Sequence, residues 1–124
     1  EALQRLSSAD LAQAFQVSSA NPLVGVEGRA GLLNSLGRVL DHRAMFQDGR
    51  PGNILDYLMK NHGSRVPATA VLRAVLDGFG DIWPGRLRAG GRNLGDVWPA
   101  KILGSGPAAL VPFHKLSQWL TYYG

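Results

Sequence analysis

Glu27-Gly28-Arg29-Ala30-Gly31-Leu32-Leu33-Asn34-Ser35-Leu36-Gly37-Arg38-Val39-Leu40-Asp41-His42 decides the fold class of this 124-residue chain. Leu32, Leu33, Leu36, Val39 and Leu40 recur at the i, i+3, i+4, i+7 spacing of one helix face. The spacing predicts a helix from Glu27 to about His42 with that face buried. Gly28, Gly31 and Gly37 each weaken such a helix by about 1 kcal/mol relative to alanine. Three glycines in one helix point to close contact with another backbone.

Outward from this helix, the remaining apolar positions also fall at helical spacing. Towards the N-terminus, Ser7-Ser8-Ala9-Asp10 opens a short helix, with Ser7 and Asp10 suited to a capping arrangement. Leu11, Ala14 and Phe15 form its apolar face, and residues 16–26 read as a loop with a turn at Asn21-Pro22. Towards the C-terminus, Asp48-Gly49-Arg50-Pro51-Gly52 is a turn. Asn53 then caps a helix burying Ile54, Leu55, Leu58 and Met59, which Asn61-His62-Gly63 ends. Pro67 sits at a first helical position, and the helix to about Phe79 buries Val71, Leu72, Val75, Leu76 and Phe79. Residues 80–109 are dense in glycine and interrupted by Pro84, Pro99 and Pro107. They read as one long loop, unusual unless functional or packed against other structure. After Leu110-Val111, Pro112 opens a last helix with Phe113, Leu116 and Leu120 as its buried stripe. His114 and Gln118 share a second face, Lys115 and Trp119 a third. No strand alternates convincingly, and no repeat is visible. The expected fold is all-α: four to six short helices with a long Gly/Pro-rich loop. Residues 1–124 form a single or partial domain, read as a fragment of a larger helical domain.

Composition narrows the function. Apolar residues make up 45% of the chain, which argues against disorder. No apolar run approaches the roughly 18 residues of a membrane span, and no stretch reads as a signal peptide. The opening at Glu1 reads as an excerpt or a processed product. There is no cysteine, which excludes disulfides and thiolate chemistry and suits a cytoplasmic protein. The net charge of +4 is uneven. Residues 82–101 hold Arg86, Arg88, Arg92 and Lys101 against Asp96. Such a stretch can serve nucleic acid, a phosphorylated small molecule or solubility alone. Nucleic-acid binding usually interleaves aromatics with basic residues. Trp83 and Trp98 are each followed by proline and read as anchors, so neither nucleic acid nor membrane is expected as a partner.

Three constellations carry chemistry. Glu27 and Arg29 lie at a loop-to-helix junction where main-chain N–H groups attract anions; alternatively Glu27 complements the helix dipole and Arg29 is solvated. Arg86 to Asp96 offers cations and one carboxylate on a Gly-rich loop, either a phosphate grip or a solvated turn. His114, Lys115 and Gln118 place a base, a cation and an amide within about one turn. His42 and His62 read as helix-end residues, where a cation is favourable. The histidines lack metal-ligand spacing, and the P-loop and nucleophile-elbow patterns are absent, so no metal or cofactor is expected.

Leu110-Val111-Pro112-Phe113-His114-Lys115-Leu116-Ser117-Gln118-Trp119-Leu120-Thr121-Tyr122 resembles the hallmark of the uracil catabolism protein four family of fungi and bacteria. Further matching stretches are Phe15–Ser18, Asn21–Arg29, Arg50–Gly52, Ile82–Arg86 and Leu94–Trp98. The resemblance covers essentially the whole chain, which corresponds to a central segment of a longer protein; Tyr123-Gly124 departs from the Ser-Leu expected there. It implies a part in uracil breakdown through ribosylated, ring-opened intermediates. That route needs a step cleaving ribose from urea. Residues 112–120 also faintly resemble a stretch of the queuosine salvage family, whose helical fold cleaves N-glycosidic bonds. The implied activity is hydrolysis of an N-ribosyl bond in a phosphorylated intermediate such as ribosylurea phosphate. Asp96 and His114 are the acid/base candidates. Arg29, Arg86 and Lys115 would grip the phosphate, with Glu27 and Gln118 also binding substrate. Flanking segments of the longer protein would contribute. The alternative is a non-catalytic helical ligand-binding or scaffold protein of the same pathway.

Overall fold

The computed structural model describes residues 1–42, 44–85 and 87–123, the side chain of His42 excepted. Its helices are α1 (Ala2–Arg5), α2 (Ser8–Ala14), α3 (Val26–His42), α4 (Asn53–His62), α5 (Ala68–Phe79) and α6 (Lys115–Tyr123). Short 3-10 turns lie at Ala44–Gly49, Gly80–Ile82, Lys101–Leu103 and Pro107–Ala109. Two antiparallel ladders complete it: β1 (Arg88–Ala89) with β2 (Arg92–Asn93), and β3 (Val97–Pro99) with β4 (Leu110–Pro112).

α3 is the central element, as its periodicity predicts. Val39 and Leu40 are buried with Phe46, and Leu3, Leu36, Met45, Ile54, Phe79 and Ile82 pack around them. Phe46, 1% exposed, stacks on Phe79 with ring centroids 4.9 Å apart. Gly78 on α5 makes room for it, since a Cβ there would lie 2.8 Å from Met45 Sδ and 3.0 Å from Phe46 Cζ. The expected close backbone approach on α3 exists at one of its three glycines. A Cβ at Gly37 would meet Gln4 Cγ at 2.8 Å and the Gln4 main-chain nitrogen at 3.0 Å, whereas Gly28 and Gly31 face open space. Side-chain amides secure the contact. Asn34 Nδ2 donates to the carbonyls of Leu3 (2.7 Å) and Leu6 (3.0 Å), and Gln4 Nε2 donates to that of Gly37 (3.1 Å) and to Asp41.

The all-α expectation is overturned by the two ladders, and residues 80–109 are not one long loop. Strands of two or three residues are too short to alternate, so period-2 patterning could not reveal them. Their signal is in the turns. Gly90 and Gly91 have φ of +55° and +76°, the pair of positive angles that a two-residue hairpin turn requires. Leu110-Val111-Pro112, expected to lead into a helix opened by Pro112, is instead a strand paired with Val97–Pro99. Other details shift as well. Asn53 does not cap α4; its Nδ2 donates to the Gln47 carbonyl at 2.6 Å. Phe15, Leu55 and Met59 are exposed. None of the helices among the described residues is long and apolar enough to cross a membrane.

The buried stripe expected on α6 is also corrected. Phe113 is 55% and Leu116 47% exposed, while Ser117 is 7% exposed. α6 packs against α5; Ser117 is buried and His114, Leu120 and Thr121 are half-buried, so Leu120 of the expected stripe does turn away from solvent. Ala68, Thr69 and Leu72 of α5 share a small cavity with Gln118, Thr121 and Tyr122, whereas Arg73, Leu76 and Asp77 share another with His114 and Ser117. The two helices are therefore antiparallel, with the end of α5 beside the start of α6.

Two outcomes test this packing. Gly31→Ala raises stability by up to about 1 kcal/mol through helix propensity alone, and Gly37→Ala lowers it by pushing α1 off α3; urea unfolding of both variants reads the contrast. At α2, the Asp10 carboxylate accepts from the Ser7 hydroxyl (2.6 Å) and main-chain N–H (3.0 Å), while Ser7 Oγ accepts from Asp10 N–H (3.1 Å). These bonds, the hydroxyl's foremost, hold the Asp10 pKa below its ordinary value. A carboxyl whose folded pKa is depressed stabilises the fold above its unfolded pKa, and that contribution is lost as the pH falls through the folded value. Titration of Asp10 by NMR moves upward, towards the ordinary carboxylate range, in Ser7→Ala.

Candidate functional site

A cavity of about 230 Å³ opens where the end of α5, the β1–β2 hairpin and the start of α6 meet. Its polar wall comprises Arg73 and Asp77 from α5, Arg92 and Asn93 from β2, and His114 and Ser117 around the start of α6. Leu76, Trp83, Ala89 and Leu94 supply the apolar wall.

The hairpin is placed by Asn93. Its Nδ2 donates to the carbonyls of Gly80 (3.2 Å) and Trp83 (3.1 Å), and its Oδ1 accepts from Gly95 N–H (3.0 Å). Leu94 N–H donates to the Leu87 carbonyl at 3.0 Å. These bonds set Gly95 between two rings: a Cβ on it would lie 3.4 Å from His114 Cε1 and 3.5 Å from Trp83 Cδ1. Its φ of +71° also excludes L side chains at low cost. Just beyond, Phe113 N–H donates to the Asp96 carbonyl at 2.7 Å, and the His114 carbonyl accepts from Gln118 N–H at 2.9 Å. The β3–β4 ladder and these bonds aim His114 into the cavity.

The same lining holds a charged triplet. Asp77 accepts from Arg73 Nε at 2.7 Å through one oxygen and from Arg92 Nη2 at 3.0 Å through the other. The guanidinium side chains are 63% and 67% exposed and the Asp77 side chain 35%. The arrangement offers an imidazole, a carboxylate and two cations facing a half-apolar pocket. It suits binding a small, polar, negatively charged molecule and moving a proton within it.

The residues predicted from sequence scatter around this cavity. His114 lines it. The Asp96 side chain does not: its Oδ1 accepts from Trp98 Nε1 at 2.8 Å, although its main chain leads directly to Gly95 and to the strand before His114. Gln118 lines the separate cavity of about 120 Å³ beside Leu72, so it and His114 serve different spaces. Lys115 is exposed at the start of α6 and does not line the His114 cavity. Glu27 and Arg29 are exposed in the first turn of α3 and also lie outside it; Arg29 Nε donates to the Val24 carbonyl at 3.4 Å. The Asn21 amide in the same stretch donates to the carbonyls of Phe15 and Gln16. Arg86 lies outside the described residues.

Arg73, Asp77 and Asn93 carry no site signal in the sequence, and Arg92 appears there only as one cation of the Arg86-to-Asp96 loop. Arg73 and Asp77 are four apart, a readable helix pair. Nothing local shows that Arg92 meets them across 15 residues. Among the described residues, no group of three or more His, Asp or Glu side chains could hold a metal ion.

Residues 1–123 match the family described as "Protein of unknown function (DUF1688)". "Uracil catabolism protein 4" of Lachancea kluyveri is 44% identical over 134 residues, which is 97% of this chain and 30% of that protein. "Protein urg3" of Schizosaccharomyces pombe is 40% identical over 127 residues, 98% of this chain and 29% of that protein. The chain thus spans under a third of the length of these curated relatives. No solved structure matches it.

Because Gly95 touches both rings of the site, Gly95→Ala should displace the His114 imidazole. Its ring NMR signals then shift in the variant, while those of His62 on α4 stay in place.

Proposed function

Because this chain belongs to the family described as "Protein of unknown function (DUF1688)", we propose that it serves uracil or pyrimidine breakdown, the role named for its Lachancea kluyveri relative. The proposed reaction is hydrolysis of an N-ribosyl bond in a phosphorylated, ring-opened intermediate such as ribosylurea 5′-phosphate. The observation that carries this reading is the cavity where His114 shares a wall with Asp77 and Arg92.

In the proposed chemistry, His114 accepts a proton from water as the water oxygen bonds to the sugar's anomeric carbon. The bond from that carbon to the urea nitrogen breaks, and the nitrogen takes a proton from solvent, to which His114 afterwards returns the one it accepted. The products are urea and ribose 5-phosphate. Positive charge developing on the sugar ring calls for a carboxylate beside it. Asp77 is assigned that role because it lines the cavity. Asp96, the carboxylate expected from sequence, is assigned the placing of the strand that leads to His114. Arg92 offsets the phosphate charge, while Arg73 stays paired with Asp77.

A second reading, a non-catalytic ligand-binding or scaffold protein of the same pathway, draws on the outward face of α6. Leu116, Trp119 and Tyr123 are exposed there, and Phe113 is exposed just before it.

Urea release from ribosylurea 5′-phosphate by the full-length protein separates the two. His114→Ala lowers release at least about 100-fold, the usual worth of a general base, and Asp77→Asn lowers it more than Asp96→Asn does. No release from the unaltered protein would sink the hydrolase reading and leave the binding one.

A further inference from the structure

Next to the His114 cavity lies a second, of about 260 Å³. Leu76, Asp77, Gly80, Arg92 and Asn93 line both. The two spaces differ in kind. The first has the Trp83 and Leu94 side chains in its wall, whereas the second adds Arg88, Asp81 and Gly91. Arg88 and Arg92 stand on the two strands of one hairpin, on either side of the Gly90-Gly91 turn. Arg88 Nη2 donates to the Gly91 carbonyl at 3.3 Å, which keeps its guanidinium at the turn.

The lining that the two spaces share includes the Arg92–Asp77 ion pair, a 3.0 Å contact. An ion pair this exposed contributes little to stability and can be exchanged at small cost. Asp77 also holds Arg73, at 2.7 Å and through its other oxygen. Arg92 in turn gains by exchanging one carboxylate oxygen for a dianion, which a planar guanidinium can grip through two parallel N–H bonds.

We propose that the two cavities are halves of one site for a small phosphomonoester. Its phosphate lies between Arg88 and Arg92 in the polar half, and its sugar and leaving group lie in the half walled by Trp83 and His114. Asp77 holds Arg92 until the phosphate takes it over. The exchange leaves Asp77 with one guanidinium instead of two, and so more negative towards the sugar once the correct substrate is bound. This deepens the hydrolase reading and rests on it for the reaction, but the binding stands or falls by itself.

The test is calorimetric titration of the full-length protein with inorganic phosphate, ribose 5-phosphate and ribose. Both phosphates bind and ribose alone binds far more weakly. Arg88→Gln and Arg92→Gln each weaken phosphate about tenfold or more, as loss of a charged hydrogen-bond partner implies. Asp77→Asn tightens phosphate severalfold, and this gain vanishes when Arg92→Gln is also present, because Asp77 acts by competing for Arg92. Phosphate affinity indifferent to both arginine substitutions overturns the proposal, as does an Asp77→Asn gain that persists without Arg92. If these binding changes hold while no urea is released, the divided site stands and the hydrolase reading fails.

Discussion

The side-chain amide of Asn93 is bonded entirely to main chain: two carbonyls, at Gly80 and Trp83, and one N–H, at Gly95. Those three groups belong to the end of α5, the segment after it and the approach to β3. An Asn amide offers two donors and an acceptor in a fixed plane, so it ties three directions of chain together with no freedom left. Everything that meets at the cavity inherits its position from that knot. Gly95 is set against the rings of Trp83 and His114, and Arg92, the preceding residue on β2, is set against Asp77. A wedge of short strands and glycine turns holds a shape here because one side chain replaces the hydrogen bonds that a longer sheet would supply.

The helices were legible because their cause is local. Leu36, Val39 and Leu40 announce the inner face of α3 through spacing alone, and Ser7 with Asp10 announces the start of α2 through capping chemistry. The ladders were not legible. Two or three residues carry no period, and the Gly90-Gly91 turn of the first hairpin reads equally as part of a Gly-rich loop. α6 shows a different failure. Phe113, Leu116 and Leu120 have the right spacing for a buried stripe, but spacing identifies a face and not its direction. The side that turns inward holds His114, Ser117 and Thr121 together with Leu120, so small and polar side chains let α6 lie close against α5 beside a polar cavity.

The same distinction governs the site. His114 was visible as a titratable group in an unusual setting. Asp96 stands out as the carboxylate within the basic stretch of residues 82–101, in a segment that matches the resembled family, yet its oxygen is held by the Trp98 indole. Asp77 sits inside a helix that reads as ordinary packing, and its second partner comes from 15 residues away. A contact of that span is created by the hairpin's orientation, which Asn93 sets. Resemblance marked the neighbourhood through Leu94–Trp98, while the groups that face the cavity stand partly before that motif.

The three tryptophans divide between the site and the surface: Trp83 is half-buried in the cavity wall, whereas Trp98 and Trp119 are 43% and 55% exposed. Optically the protein is therefore two populations in one chain. Of the three indoles only that of Trp83 lines the cavity, so a ligand there meets one emitter directly and leaves the two outer ones in solvent. With Trp98 and Trp119 replaced by phenylalanine, the remaining light would come from the wall that His114 shares.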